Sequence, residues 1–123
     1  MIRPLLVLRP EPGNSQTAAR ARAFELDTRC VPLFAVRPID WTPPDPAPYV
    51  GVLLTSANAL RTAGPELARY TYLPAFAVGG TTARLAREAG FGSVVEGESD
   101  VARLMGKIAT LGLHRLLHFC GED

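Results

Sequence analysis

An excess of either charge is what this chain most conspicuously lacks. Thirteen lysines and arginines stand against twelve aspartates and glutamates, a formal net charge of +1. A nucleic-acid binder normally shows a basic excess, so no nucleic-acid partner is expected. Lysine is nearly absent: Lys107 is alone, and the other 12 basic residues are arginine, whose planar fork matches carboxylates and phosphates. Cysteine is scarce too. Cys30 and Cys120 stand far apart in no CxxC pattern, which argues against a disulfide scaffold and for reduced thiols in a cytoplasmic protein. No apolar run approaches the ~20 residues of a membrane helix, so no membrane partner is expected. The apolar start ends at Arg9-Pro10, too early for a signal-peptide core with a cleavage site. Familiar catalytic signatures are also missing. No lysine follows the glycines as in a phosphate-binding Walker loop, and GxGxxG and HExxH do not occur. His114 and His118 are four apart on a strand-like segment, and a metal pair would need further ligands. Cys120 has no positioned histidine and acid, so a buried, inert thiol is expected.

What is present is ample for a core. The 123 residues are 47% hydrophobic and 20% charged, an ordinary balance for one domain-sized unit. Leu5 to Leu8 reads as a strand buried on both faces. Asn14 or Ser15 can cap a helix through Glu25, with Ala19, Ala23 and Leu26 on one stripe. Cys30 to Val36 reads as a second strand, with Pro32 marking an edge or interruption. Arg37 to Pro48 holds five prolines and no period, and reads as a linker or crossover.

Beyond it, strand and helix signals alternate. Val50–Leu54 reads as a strand, and Thr55 or Ser56 caps a helix to about Ala63. Gly64-Pro65 breaks that helix and Pro65 can open another. Ala75–Val78 is the next strand, followed by a helix over Thr81–Ala89 that ends at Gly90. Ser93–Val95 is a short strand, and Ser99 caps a helix over Asp100–Leu111 that ends at Gly112. Arg115–Phe119 is the last strand. The alternation predicts an α/β fold with parallel, doubly wound sheets, and the linker predicts two sheets. Two strands and one helix at the start are too few to bury a core. Asp123 falls where a covering helix should begin. The chain therefore reads as part of a longer protein.

The candidate site lies at the strand ends. Phe76-Ala77-Val78 stops at Gly79-Gly80, and Thr81-Thr82 opens a helix, a junction that aims backbone N–H groups and a positive dipole end outward. Thr55-Ser56 is a shorter echo, and Gly121 follows the last strand. If those strands are parallel neighbours, the three loops share the edge where open α/β sheets bind ligands. The alternative for each hydroxyl is an ordinary helix cap. Arg9, ending the first strand, either reaches an anion or faces solvent. With no acid–base pair in view, an enzyme here would act mainly by binding and orienting a reactive substrate.

Several segments in order resemble one family. Leu8-Arg-Pro-Glu-Pro12, Cys30-Val-Pro-Leu-Phe34, Val52-Leu-Leu-Thr-Ser-Ala-Asn-Ala-Leu60, Ala77-Val-Gly-Gly-Thr-Thr-Ala-Arg-Leu85, Gly97-Glu-Ser-Asp-Val-Ala-Arg-Leu104 and Leu117-His-Phe-Cys-Gly121 are similar to uroporphyrinogen-III synthase. No one segment is specific; the ordered set is. Family members are about twice this length. The resemblance implies two flavodoxin-like domains, with residues 1–36 an incomplete first domain and 37–123 most of the second. It implies closure of hydroxymethylbilane to uroporphyrinogen III, with inversion of the last ring, loss of water and no metal or organic cofactor. The many-carboxylate substrate would be held by Arg9, Thr55, Ser56, Gly79, Gly80, Thr81, Thr82 and Gly121. The family's V-G-x-x-T-A threonine, implicated near the cleft, falls on Thr82. The tyrosine the family places later has no match here, because Tyr49, Tyr70 and Tyr72 stand in other contexts. The full-length form is expected to be a monomer. The competing reading is a noncatalytic flavodoxin-like module that binds an anion or nucleotide.

Overall fold

The structure, a computed structural model, describes residues 3–97 and 100–121. Its contacts divide the chain into two compact units, Met1–Arg37 and Pro38–Asp123.

In the first unit, strand β1 (Leu5–Val7) pairs in parallel with β2 (Thr28–Cys30) across helix α1 (Gly13–Ala23). Five expectations are corrected here. The first strand is not buried on both faces: Leu5 and Leu6 are 44% and 55% exposed, because a two-stranded sheet with one helix has only one covered side. The buried stripe of α1 is Asn14, Ala18 and Ala21, whereas Ala19, Ala23 and Leu26 face solvent. Asn14 is no cap. It lies inside the helix, and its Nδ2 donates to Val7 O at 2.9 Å and Arg9 O at 2.8 Å, tying the helix start to the strand end. The helix stops before Glu25, which takes a left-handed φ of 61° while Leu26 N–H closes onto Ala21 O. The strand expected over Cys30–Val36 lies earlier, at Thr28–Cys30, and shares only Cys30 with the expected span. Only the Val31 and Leu33 amides continue toward Val7 and Leu8 carbonyls, since Pro32 between them has no N–H to give.

In the second unit, β3 (Gly51–Leu54), β4 (Ala75–Val78), β5 (Val94–Gly97) and β6 (Leu116–Phe119) form one all-parallel sheet in the order β5-β4-β3-β6. Helices α2 (Ala57–Thr62), α3 (Gly80–Glu88) and α4 (Val101–Thr110) interleave with them, together with a 3-10 helix over Pro65–Tyr70. This is the parallel α/β arrangement the alternation predicts, and it is consistent with the flavodoxin-like fold the resemblance implies. The strands are apolar at consecutive positions because both faces are covered. Val52, Leu54, Ala75 and Ala77 pack with Ala83 and Ala86 of α3 and with Leu67 and Tyr70 of the 3-10 helix. Leu53 and Phe76 point the other way, to Leu104 and Ile108 of α4. Successive strand residues thus serve opposite layers.

The linker is more than a tether. Trp41 donates to Ala63 O at 3.0 Å, and Tyr70 donates its hydroxyl to Pro44 O at 2.5 Å. Trp41, Tyr70 and Phe119 form an aromatic cluster, with edge contacts of 5.4 Å from Phe119 to each of the other two rings. Burial holds the Tyr70 hydroxyl above its ordinary pKa.

Helix ends follow local chemistry. Ser56 caps α2 by accepting from Asn58 N–H at 3.2 Å. Asp100, not the expected Ser99, caps α4 by accepting from Ala102 N–H at 2.9 Å; Ser99 lies outside the described residues. Gly90, at a φ of 106°, and Gly112 turn the chain after α3 and α4 as predicted.

Candidate functional site at the strand ends

All four strands of the second unit run the same way, so their C-terminal loops share one edge of the sheet. The loops holding Thr55-Ser56, Gly79 to Thr82, and Cys120-Gly121 are therefore brought to that edge. The chain steps from β3 to β4 to β5 on one side, then returns with α4 on the opposite face to place β6 on β3's other flank. The winding reverses between β3 and β6, and open α/β sheets bind ligands at such a switch point.

The glycine turn is built for a sharp approach. Gly79 has φ 86° and ψ 154°, a conformation that disfavours a side chain. Its N–H is held by Gly97 O at 3.0 Å, which fixes the turn to the neighbouring strand. Its carbonyl accepts the first intrahelical bond of α3, from Ala83 N–H at 3.1 Å. The N–H groups of Gly80, Thr81 and Thr82 in that first turn have no intrahelical acceptor. No side chain caps α3, so the two threonine hydroxyls are not the ordinary caps that the alternative reading proposes. Thr81 is exposed, whereas Thr82 is only 5% exposed.

Two further residues meet this edge that the sequence patterns do not single out as site residues. Glu96 on β5 brings Oε1 to 3.2 Å from where a Cβ on Gly80 would stand, so the first turn of α3 already faces a carboxylate of the chain itself. A negative group there is favoured by the helix dipole. His118 on β6 places Nε2 2.9 Å from Thr55 Oγ1. Thr55 and Ser56 thus divide their work: Ser56 caps the helix and Thr55 bridges to the adjacent strand. The histidine spacing pointed only to a metal pair; the actual partner comes from a residue 63 positions away. Parallel pairing opposes His118 to Leu53, two residues before Thr55, which puts both side chains on the same face.

The remaining expected residues separate. Gly121 is exposed beyond β6, with open space where a side chain would begin. Cys120 is exposed, not buried as expected, because it lies past the last paired residue of the strand. Arg9 belongs to the first unit, where its guanidinium lies over Gly13 and donates to Thr17 Oγ1 at 3.2 Å. Among the described residues, no helix is long and apolar enough to cross a membrane.

Comparison with known proteins turns this geometry into a lineage. A search among curated proteins found no match. A family model described as Uroporphyrinogen-III synthase HemD matches residues 15–123, which takes in every loop of the strand-end edge. The chain belongs to the uroporphyrinogen-III synthase family.

Proposed function

We propose that the protein containing this chain closes hydroxymethylbilane to uroporphyrinogen III, and that the strand-end edge of the second unit holds the substrate's carboxylates. Family membership supports a lyase of tetrapyrrole biosynthesis acting on a small-molecule tetrapyrrole. The observation that carries the finer reading is the turn from Gly79 to Thr82, which offers uncapped N–H groups at the positive end of α3. Thr55, Ser56, Gly79, Gly80, Thr81 and Gly121 are proposed to contact the substrate, and Arg9 of the first unit is proposed as an anion contact in its own right.

The chemistry asks little more of the protein than placement. Loss of the substrate's hydroxyl leaves a cation delocalised over a pyrrole, and the last ring then attacks through a spiro intermediate. Holding the two ends in one geometry supplies most of the acceleration. Thr82 is proposed to donate to the departing hydroxyl or to a side-chain carboxylate. A nearly buried hydroxyl has little freedom left to lose when it engages a ligand.

The test is a coupled cyclisation assay with isomer analysis on the full-length protein. The III isomer is expected, and formation of only the spontaneous I isomer would overturn the reading. In the same assay, Thr82→Ala should lower turnover about 10- to 100-fold, the effect of one hydrogen bond to a charged or developing charge. Thr81→Ala should lower it less. Equal effects would remove any special role for Thr82.

A further inference from the structure

We propose that His118 is the proton-transfer residue of this site, oriented by Thr55; the proposal rests on the synthase reading above. Position supports it first. The Thr55–His118 pair joins β3 to β6, the two strands between which the winding of the sheet reverses. It therefore sits at the one point of the edge where an open α/β sheet separates its loops to admit a ligand.

Chemistry supports it second. Breaking the substrate's C–O bond is easier if the oxygen leaves as water, so the site benefits from a group that delivers a proton near neutral pH. Imidazole is the side chain suited to that role. His118 is exposed, and its Nε2 is engaged by Thr55 at 2.9 Å, which leaves Nδ1 for a substrate atom. Among the described residues, β3, with which β6 pairs, has no titratable side chain; on β6 His118 stands alone, with Arg115 before the strand and Cys120 after it; and α4, packed on the face that Leu53 and His118 share, carries Arg103 and Lys107.

The imidazolium of His118 gives its Nδ1 proton to the hydroxyl oxygen, the C–O bond breaks, and water leaves. The pyrrole nitrogen lone pair stabilises the resulting cation until the last ring supplies the electrons of the new C–C bond. That bond joins the ring carbon already bearing its bridge, which gives the spiro intermediate. The older bridge bond then breaks and returns its electrons to the ring, the freed bridge carbon bonds the ring's unsubstituted carbon, and that carbon loses its proton to neutral His118. One water is lost and the histidine ends as it began. Thr55 is a positioning residue that holds the ring in this orientation.

The experiment is steady-state cyclisation by the full-length protein between about pH 5 and 8, the range in which an imidazole side chain changes charge, with the spontaneous reaction subtracted. Wild-type kcat should fall as pH rises, because the donor must be protonated. His118→Gln keeps a polar group within reach of Thr55 but cannot titrate. It should lower kcat about 100-fold and flatten the profile. Its KM should stay within about threefold, as expected when a transition-state interaction alone is removed. Thr55→Val should lower kcat by a smaller factor and keep the pH dependence. Circular dichroism confirms that each variant is folded, and His118→Asn replaces any glutamine variant that is not. A wild-type kcat flat with pH, or a folded His118→Gln protein with wild-type kcat and profile, overturns the proposal. A wild type that makes only the I isomer overturns the synthase reading and this assignment together. III isomer from both proteins at equal rates overturns His118 alone.

Discussion

The two units of the chain use the same local grammar and reach different degrees of burial. β1 and β3 are both short apolar runs ending at a helix N-terminus, yet Leu6 is 55% exposed and Leu54 fully buried. The difference is not in the strands. β3 has a strand on each flank and a layer of helix on each face, whereas β1 has one strand partner and one helix. Apolar burial scales with the number of layers available, so the same sequence signal contributes little stability in one unit and much in the other.

Substitutions test that contrast, and amide hydrogen exchange on the 123-residue chain reads each unit separately. The largest effect is expected at Tyr70, which is fully buried and donates to Pro44 O. Tyr70→Ala should destabilise the second unit by about 3–5 kcal/mol, as for other large buried aromatics. A loss under 1 kcal/mol would mean that the aromatic cluster is not part of the core. Because burial raises the Tyr70 pKa above about 10, its neutral form is favoured in the folded state. That contribution is intact below the unfolded value and is lost as pH rises through the folded one.

Next comes Asn14, whose Nδ2 serves two carbonyls at the heart of the first unit. Asn14→Ala should cost that unit about 1–3 kcal/mol, because it removes one buried hydrogen bond to Val7 O and one half-buried bond to Arg9 O. Protection in the second unit should not change. A comparable loss in both units would show that they do not behave separately. Gly79→Ala should cost about 1–3 kcal/mol in the second unit, from backbone strain alone, since the space beyond Gly79 is open. A neutral effect would mean that the turn relaxes to another conformation. The smallest effect is expected at Leu6. Leu6→Ala should stay within about 0.5 kcal/mol, because an exposed side chain has little burial to lose. A loss as large as that of Tyr70→Ala would end the contrast between the units.

Much of the second unit was legible before any coordinates. The strands over Val50–Leu54, Ala75–Val78 and Arg115–Phe119 appear within a residue of their expected bounds, because each is a short apolar run bounded by polar, proline or glycine positions within two residues of its ends. Less was legible where one side chain had several possible partners. Asn14 has the composition of a cap, and only the return of α1 over β1 shows that it reaches inward. Thr81 and Thr82 look like caps too, and the φ of Gly79 is what starts the helix one residue earlier. Ser56 and Thr55 are equivalent as caps on paper; the hydroxyl of one is drawn away by a histidine on another strand.

What sequence alone determined is local: alternating apolar runs and amphipathic segments, with glycine and proline at the boundaries. Those signals sit within a few residues of one another, so they survive without knowledge of the fold. What only the tertiary structure decided is long-range: the order β5-β4-β3-β6, the reversal between β3 and β6, and the meeting of Thr55 with His118. The Glu96 carboxylate over the first turn of α3 belongs with them. No local pattern encodes these pairings. They follow from which strand finds which neighbour once both faces of the sheet must be covered.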